Sequence, residues 1–423
     1  MNTSVELVEE AAKRTLKASD RIQHRGTDAI IRALAQTARD WLKPDSVWRK
    51  RASKEAPAVT GFSKEMVYEA VDLTFGAITE ESLRELLEGL RKEVAEPRLT
   101  AHFLAGNVPP PGIASICVGL LLKSANLVKL SSRDPVFPTL FVESLRQVDP
   151  ELAGCIAVFD WRREEIALTQ AALAEADAVV AYGDDDTIES LRRMCQPKAH
   201  FLGYGHKLSF AMVAREALTK TNLPQLVEAA AFDASVYDQQ GCLSPHAFYV
   251  EESGEVSPRE FAAALAKAMA AYQARVPRGR LTVEEAAQIA KLRGAYEFRS
   301  ATDTNVLIWA SSVGLCACEN DGAGETAQAG TPMLPTNWLV VFEEDPMFTA
   351  SCLNRVIFVK PIRQLESVLQ LMQRFASNLS TVGVAPMNEH TTAFAKELAK
   401  VGVNRVCPLG QMQRPPLSWQ LDR

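Results

Sequence analysis

The chain has 423 residues, of which 47% are hydrophobic and 23% are charged. This composition excludes a disordered or collagen-like chain, and the length predicts two or three domains. The formal net charge of −6 argues against general binding to nucleic acid or to anionic lipid, because both are negatively charged. A local pocket can still hold an anionic ligand.

The lack of a signal-peptide pattern and the spacing of the cysteines indicate a reducing compartment. The N-terminal residues lack the apolar run of a signal peptide, and the longest apolar stretch, residues 112–122, is shorter than the ~18 residues that cross a bilayer. The eight cysteines form no Cys-x-x-Cys pair, and Cys316 and Cys318 have no histidine or second pair at zinc spacing. We therefore expect free thiols, no metal and a cytoplasmic location.

Residues 1 to about 95 are predicted to be helical. Thr3 and Glu6 have the spacing of a capping box at the start of an amphipathic helix. The leucines between Glu80 and Glu96 recur at the 3.6-residue helical period. Residues 44–62 are richer in turn residues and are expected to link helices.

From about residue 99, short β-branched runs alternate with helical patterns of 10–15 residues. This alternation is typical of βαβ units and of a parallel sheet with helices on both faces, whose ligands bind at the carboxyl ends of the strands. The predicted strands are residues 126–130, 155–159 and 178–182, and the predicted helices are residues 112–123, 138–148, 163–175 and 186–195.

A second α/β block follows the first. Residues 319–331 are rich in glycine and polar residues and are predicted to form a loop, and residues 405–423 are predicted to form an irregular tail. The predicted strands are residues 246–250, 338–342 and 355–359, and the predicted helices are residues 223–232, 258–274, 364–375 and 391–401.

Cys242 is the strongest candidate for a catalytic residue. It directly follows Gly241 in a short polar turn between a predicted helix and a predicted strand. A thiol in such a turn is exposed, and the neighbouring amides can donate to an oxyanion. The alternative is a small residue that fills a turn, because free cysteines are usually buried and inert. His246, four residues later, is a weaker candidate for a base.

Three further segments of the first block carry polar groups beside predicted elements. Asn107 lies in the rigid segment AGNVPPPG, where its side-chain amide can face an oxyanion or simply form an asparagine turn. Lys129 ends a strand and is followed by hydroxyl and cationic side chains, which suit a phosphorylated cofactor. Gly183 lies in a strand–glycine–helix turn that permits close approach of a cofactor. No Rossmann glycine fingerprint, P-loop, HExxH or Gly-x-Ser-x-Gly motif occurs.

The order and spacing of these four segments resemble the aldehyde dehydrogenase superfamily. The stretch from about residue 100 to residue 419 is most similar to the LuxC-type acyl-CoA reductases, the NADPH-linked branch that makes fatty aldehydes. The resemblance rests on AGNVPPPG, VKLSSRDP, VVAYGDDDTI, FLGYGHKLSF, YDQQGCLSPH and RVCPLGQMQRPPLSWQLD.

The resemblance implies an α/β fold with two Rossmann-like three-layer α/β/α domains. It places an N-terminal helical segment at residues 1–98, an NADP-binding domain at 99–208, the catalytic domain at 209–402 and a C-terminal tail at 403–423. It also implies roles for single residues. Asn107 matches the oxyanion-hole asparagine, Cys242 the nucleophile, Lys129 the ribose-binding lysine, Gly183 the glycine of the cofactor turn, and Gly205 the first glycine of a Gly-Gly-Lys segment.

Two departures from the aldehyde dehydrogenase pattern bear on the chemistry. Gly203 stands where hydrolysing members have the glutamate that activates water, so an acyl-enzyme is expected to be poorly hydrolysed. Ser132 replaces a glutamate that would repel a 2′-phosphate, and Arg133 follows it, which favours NADPH over NADH. Ser131 completes the expected cofactor contacts. The stretch that binds the nicotinamide ribose in the superfamily has no clean match; residues 351–356 lie roughly at its place, and that contact stays unassigned.

The implied activity is NADPH-dependent reduction of a fatty acyl thioester to the aldehyde through a Cys242 acyl-enzyme. The implied partners are an acyl-CoA or an acyl-carrier thioester, an acyl-transferring protein as a further donor, and further copies of the chain in a homo-oligomer. Three alternatives stay open: reduction of an acyl phosphate or oxidation of an aldehyde on the same fold, a cysteine acyltransferase or thioesterase without redox chemistry, and a non-catalytic carrier.

Overall fold

The computed structural model describes residues 3–90, 96–311 and 336–419. The chain divides into two compact units. Unit 1 contains the residues up to His206 and the segment from Arg414 onwards, and unit 2 contains Lys207–Gln413. Cys316, Cys318 and the predicted loop 319–331 lie outside the described residues. Among the described residues, no helix combines the length and the apolarity needed to cross a bilayer.

Unit 1 begins with helices, as the sequence predicts. The side chain of Ser4, rather than Thr3, caps the first helix by accepting the N–H of Leu7. Residues 47–60 are helical although they contain Pro57, so the expected linker at 44–62 is wrong there; the buried Trp48, whose ring stacks on Trp41, holds this helix against the others. The helices are α1 (Val5–Ile22), α2 (Thr27–Leu42), α3 (Val47–Thr60), α4 (Lys64–Gly76) and α5 (Glu80–Leu90).

A parallel five-stranded sheet forms the centre of unit 1. Its strand order, β3-β2-β1-β4-β5, is that of a Rossmann-like sheet with a switch point between β1 and β4. The sequence prediction located β2, β3 and β4 but not β1 and β5. The strands are β1 (Leu99–Phe103), β2 (Ala125–Lys129), β3 (Ile156–Phe159), β4 (Ala178–Tyr182) and β5 (His200–Tyr204).

Helices alternate with these strands and cover the sheet. The apolar stripe of α1, with Val8, Ala11 and Ala12, joins the strands in one core. The predicted helices are confirmed, with ends shifted by up to three residues. The helices are α6 (Pro110–Leu121), α7 (Val136–Val148), the short α8 (Pro150–Gly154), α9 (Ile166–Ala174) and α10 (Asp185–Met194).

A seven-stranded sheet forms the centre of unit 2. Its order is β12-β11-β6-β7-β10-β9-β8, and all neighbours are parallel except β8 and β9. Arg405–Pro408 pairs with a neighbouring strand, so this part of the predicted irregular tail is a strand instead. The strands are β6 (Leu208–Val213), β7 (Pro245–Glu251), β8 (Val306–Ala310), β9 (Leu339–Glu343), β10 (Val356–Ile362), β11 (Leu379–Ala385) and β12 (Arg405–Pro408).

Both faces of this sheet are buried. Along β7, Phe248 and Val250 belong to one core, whereas Ala247 and Tyr249 belong to cores on the opposite face. Unit 2 is therefore a three-layer α/β/α structure, as predicted. Its helices are α11 (Leu223–Ser235), α12 (Pro258–Arg275), α13 (Val283–Thr302), α14 (Ser367–Met372) and α15 (Glu389–Lys400).

Candidate active site

The turn that carries Cys242 joins α11 to β7, where the sequence predicts it. A short 3-10 helix, Val236–Gln239, precedes the cysteine. Within it, Tyr237, Asp238 and Gln239 have φ angles of 54°, 51° and 62°. Residues other than glycine rarely adopt backbone angles in this left-handed region. Three consecutive residues stay there only when surrounding contacts hold them. The Cys242 side chain itself is half-buried.

The side chain of Gln239 ties this turn to β10. It is fully buried, and its Nε2 donates to the carbonyls of Pro245 (2.8 Å) and Val356 (2.9 Å). Its Oε1 accepts the N–H of Val356 at 2.9 Å. The amide therefore uses both donors and an acceptor on backbone groups, which fixes the turn at its base.

A buried ion pair holds the next layer. Arg355 is 1% exposed, and its Nε donates to Asp238 Oδ1 at 3.0 Å. Nη1 of Arg355 donates to Gln273 and to the Val276 carbonyl, and Gly279 N–H donates to the second oxygen of Asp238. Burial raises the pKa of the Asp238 carboxyl, and the charge of Arg355 opposes that rise. The pair is costly to break, because either partner alone is a buried charge.

A second left-handed run packs against the first. Leu353, Asn354 and Arg355 have φ angles of 63°, 57° and 67°. Nε2 of Gln240 donates to Asn354 Oδ1 at 2.9 Å. Residues 351–356 are the ones that occupy the region without a clean family match, and the structure brings them into direct contact with the residues before Cys242.

Ser209 fixes the backbone of the cysteine itself. This side chain, fully buried on β6, donates through Oγ to the Cys242 carbonyl at 2.7 Å. The same oxygen accepts the N–H of Thr381 on β11 at 3.1 Å. The hydroxyl thereby links the Cys242 turn to strands β6 and β11 of the sheet.

The C-terminal residues of unit 2 also reach this turn. Nε2 of Gln413 donates to Ser244 Oγ at 3.1 Å. Asp233, near the end of α11, accepts the N–H groups of Gly410 (2.5 Å) and Met412 (3.1 Å). Burial raises the pKa of the Asp233 carboxyl to about 7, although the donated hydrogen bonds oppose the rise.

Two other groups lie close to the turn in the fold. His246 is buried on β7, and its Nδ1 accepts the N–H of Ser351 at 3.1 Å. That nitrogen therefore has its lone pair engaged and cannot take a proton from a thiol at the same time. Cys352 is half-buried, and burial raises the pKa of its thiol to about 11, which makes it a poor nucleophile.

The remaining predicted residues gather in unit 1. Asn107 follows β1, Lys129 ends β2, Gly183 follows β4 and Gly205 follows β5, so all four lie at the carboxyl edge of the same parallel sheet. This edge is where ligands of such sheets bind. The loop after β2 adds Ser131, Ser132 and Arg133.

Two loops meet at this edge. A Cβ built on Gly106 would lie 2.4 Å from Ser131 Oγ and 2.6 Å from Arg133 Cβ, so only glycine permits the contact. The loop of Asn107 thus packs directly on the loop of the expected cofactor residues. Asp134 anchors the second loop by accepting the N–H groups that open α7, and burial raises the pKa of this carboxyl to about 6.

The side chains at this edge fit an anionic, phosphorylated cofactor. Burial lowers the pKa of Lys129, while Asp160 and Glu164 favour its charged form. Ser132 and Arg133 are exposed, which leaves a hydroxyl and a guanidinium facing solvent. Gly183 and Gly205 have little space beside them. A Cβ added to Gly183 would lie 3.1 Å from Thr187, and one added to Gly205 would lie 2.5 Å from Asp185 Oδ1. Among the described residues, no group of three or more His, Cys, Asp or Glu could hold a metal.

Gly203 lies within β5 and has little space beside it. A Cβ there would lie 2.6 Å from a methyl of Ile188 and 2.8 Å from the ring of Phe201. A glutamate at this position would therefore require both neighbours to move. The position expected for a hydrolytic base carries no side chain, and any side chain there would displace its two neighbours.

The fold defines the class of protein. The chain superposes on the NAD-dependent aldehyde dehydrogenase of Burkholderia multivorans with a TM-score of 0.65 and 16% identity, over 99% of this chain and 78% of that one. It superposes on the glyceraldehyde-3-phosphate dehydrogenase of Methanocaldococcus jannaschii, determined in complex with NADP, with a TM-score of 0.66 and 13% identity, over 96% and 86% of the two chains. The predicted aldehyde dehydrogenase fold is confirmed.

Within that class the chain belongs to the acyl-CoA reductase (LuxC) family, whose model matches residues 22–312 and 325–422. The long-chain acyl-protein thioester reductase of Aliivibrio fischeri is 25% identical over 96% of this chain and 81% of its own length. Long-chain acyl-protein thioester reductase 2 of Photobacterium leiognathi is 27% identical over 74% of this chain and 58% of its own length. The family resemblance drawn from the sequence is confirmed.

The sequence did not reveal the groups that hold the Cys242 turn. Ser209, Arg355 and Gln413 contact the turn from positions 33, 117 and 169 residues away from their partners. Ser209 and Gln413 lie in segments that carry the family resemblance, but nothing in those segments indicates a contact with the Cys242 turn. Arg355 lies in none of the quoted segments, so its role is visible only in the folded chain.

Proposed function

We propose that this chain reduces a fatty acyl thioester to the aldehyde, with NADPH as the electron donor, through an acyl-enzyme on Cys242. The observation that supports this most is the Cys242 turn. Buried side chains from distant strands fix it, on a fold otherwise found in aldehyde dehydrogenases. A cysteine that only fills a turn would not need two adjoining left-handed backbone runs to hold it.

The first half-reaction is acyl transfer. The Cys242 thiolate attacks the carbonyl carbon, the bond from that carbon to the donor sulfur breaks, and the donor leaves as its thiol. The side-chain amide of Asn107 and the backbone N–H of Cys242 donate to the oxyanion. Each such donor contributes about 3 kcal/mol to transition-state stabilisation.

The second half-reaction is reduction. When bound, the nicotinamide supplies a hydride to the acyl carbonyl carbon. Collapse of the resulting tetrahedral species releases the aldehyde and restores the Cys242 thiolate. Lys129 and Ser131 hold the adenosine ribose, and Ser132 and Arg133 accommodate the 2′-phosphate. Gly183 and Gly205 let the backbone approach the cofactor.

Without a base to activate water, the acyl-enzyme is hydrolysed slowly and persists until it is reduced. A carboxylate near the thioester would activate water and divert the acyl group to the free acid. Gly203 offers no carboxylate, and Ile188 and Phe201 occupy the adjacent space. Reduction is therefore the faster exit from the intermediate.

The donor is an acyl-CoA or a protein-bound acyl thioester. The family description names acyl-CoA, and the relatives are named for acyl-protein thioesters. Both present the same carbonyl to Cys242, so the same steps serve either donor. The proposed location is the cytoplasm, whose reducing conditions keep a catalytic thiol free. The chain is also proposed to form a homo-oligomer, which sedimentation would measure.

The test is the loss of NADPH absorbance at 340 nm. Purified protein is mixed with NADPH and with acyl-CoAs from short to long chain, and in parallel with acyl groups on a carrier protein. We expect donor-dependent loss in the wild type and none in Cys242→Ala. Cys195→Ala is the matched control, because it removes another half-buried thiol, one with no expected role in catalysis, and should keep its activity.

The outcomes separate this proposal from its alternatives. Loss of NADPH with an acyl phosphate but with no thioester would identify a different activated acid. Acylation of Cys242 without NADPH oxidation would identify an acyltransferase. Absence of both would leave a non-catalytic carrier.

The cofactor preference has its own test. Arg133→Glu places a carboxylate where the 2′-phosphate is expected, so KM for NADPH should rise about tenfold or more while KM for NADH changes little. Lys198→Glu makes the same charge change just before the amino end of β5 and should leave both unchanged. Equal effects on the two cofactors in Arg133→Glu would remove Arg133 from the 2′-phosphate contact.

A further inference from the structure

We propose that unit 1 carries a second anion site, a cleft at the amino edge of its sheet that binds a ligand with two or more phosphate groups. The cleft has a volume of about 370 Å³. Four cationic side chains line it, and small apolar residues form its floor. The cations are Arg14, Lys17, Arg21 and Arg146, and the floor is Ala18, Ala153, Gly154 and Ile156.

The cations converge from two helices. Arg14, Lys17 and Arg21 are spaced at i, i+3 and i+7 along α1 and therefore share one face of it. Arg146 comes from the last turn of α7. The negative end of a helix dipole stabilises cations in a last turn, which accounts for Arg21 and Arg146. It does not account for Arg14 and Lys17, which lie one to two turns earlier.

No counter-charge balances the four cations. Within residues 3–90, 96–311 and 336–419, none of the four side chains forms a hydrogen bond or an ion pair. Asp149, which precedes the floor of the cleft in sequence, pairs with Arg25 and caps α8 through the N–H of Leu152. The chain as a whole has a net charge of −6, so this cluster has the opposite sign to the protein average. Like charges in a concave site attract an anion.

The cleft lies at the opposite edge of the sheet from the expected cofactor residues. The C-terminal end of α1 contacts the segment just before β2, because Ser19 and the adjacent Gln23 both donate to the carbonyl of Lys123. Ile156 begins β3, and Gly154 lies two residues before it, at the end of α8. Lys129 and Gly183, by contrast, lie at strand ends. The ligand of this cleft is therefore distinct from a cofactor at the carboxyl edge.

The number of cations indicates the ligand class. A carboxylate carries one charge, whereas a diphosphate carries at least two and offers several acceptor oxygens to arginine forks. The cleft volume falls at the lower end of the range typical of small-molecule sites. We therefore assign a diphosphate group to the cleft, either as free pyrophosphate or as part of a nucleotide.

The experiment measures binding of pyrophosphate to the full chain by isothermal titration, with NaCl adjusted so that ionic strength is constant. We expect saturable binding and a rise in Tm, and Arg14→Ala/Lys17→Ala should weaken binding at least tenfold. Lys13→Ala/Arg32→Ala removes two exposed cations of unit 1 that do not line the cleft, and it should bind like the wild type. Arg133→Glu, which changes the expected cofactor residues at the carboxyl edge, should also bind pyrophosphate like the wild type.

Parallel titrations with ATP and with CoA identify the source of the diphosphate. Tighter binding than pyrophosphate, lost in Arg14→Ala/Lys17→Ala, supports a nucleotide ligand, and equal binding supports a free diphosphate. Unchanged affinity in Arg14→Ala/Lys17→Ala, or a loss of pyrophosphate binding in Arg133→Glu, overturns the proposal. The reductase assay on the same variant confirms that it is folded, since both residues lie outside the proposed catalytic machinery.

Discussion

The turn of Cys242 and the loops at the carboxyl edge of the five-stranded sheet are held in opposite ways. Side chains distant in sequence fix the turn: Ser209 bonds its backbone, Arg355 pairs with Asp238 at its base, and Gln413 reaches Ser244. The edge loops rely on local contacts, such as the Asp134 cap, and leave Arg133 exposed. An attacking atom must be placed to within a fraction of an ångström, whereas a cofactor brings many contacts of its own.

Breaking the buried ion pair should have the largest effect. Arg355→Met leaves Asp238 as an uncompensated buried charge, so the free energy of unfolding should fall by about 3–5 kcal/mol, measured by urea denaturation. Arg355→Met/Asp238→Asn should recover part of the loss. Arg193→Met breaks an exposed pair with Glu189 and should cost less than about 1 kcal/mol. A loss as small as this in Arg355→Met would contradict the assigned role.

Removal of the expected oxyanion donor from the edge loops comes next. Asn107→Ala should lower kcat on the order of 100-fold, because one donor is lost in the transition state. Thermal unfolding of the same variant separates a loss of catalysis from a loss of folding, and the assigned role requires kcat to fall more than the folded fraction does. Normal turnover would remove Asn107 from the site.

A single bond to the turn should have a smaller effect. Ser209→Ala removes the donor to the Cys242 carbonyl and leaves the Thr381 N–H without its acceptor, so we expect up to a tenfold drop in kcat and a cost of about 1–3 kcal/mol. Ser380→Ala is the matched control, because this buried hydroxyl has no hydrogen-bond partner in the described residues.

The pH profile of Cys242 alkylation separates positioning from stability. A merely structural role for Ser209 would leave the profile unchanged in Ser209→Ala. A positioning role should change it, and Ser380→Ala should not. Identical profiles in the two variants would contradict positioning.

The last prediction concerns Asp233 and is measured in the pH dependence of stability. Its pKa is about 7 in the folded chain and 3.8 in the reference state. Between these values the native state binds the extra proton, so the stability that Asp233 contributes is present at low pH and is lost as pH rises toward about 7. Asp233→Asn should therefore reduce the fall in Tm between pH 5 and pH 8. An unchanged slope would contradict the raised pKa.

The fold could be predicted where local patterns are strong, and not elsewhere. Strands β2, β3 and β4 are short apolar runs with β-branched residues between helical patterns, and this pattern predicts strands. Strand β1 contains His102, which looks polar in sequence but is buried, with Nδ1 bonded to Ser115 and Nε2 bonded to Asn126. Burial lowers the pKa of His102 to about 4, so it is neutral and behaves as a core residue. Only the tertiary partners make that strand recognisable.

The candidate site divides in the same manner. Cys242, Asn107 and Lys129 lie in short segments whose composition already indicates turns and strand ends. The residues that hold the turn come from strands and loops far along the chain, and strand β12 replaces part of a predicted tail. Long-range pairing depends on the whole sheet, which the local sequence does not encode.

The lack of space beside Gly203 constrains how this family member can change over evolutionary time. A mutation that restored a glutamate would place its Cβ against Ile188 and Phe201 before any hydrolytic benefit arose. Either neighbour would have to shift or become smaller to admit that side chain. A single substitution at residue 203 therefore does not suffice to install a hydrolytic carboxylate, and it has to be accompanied by repacking of Ile188 or Phe201.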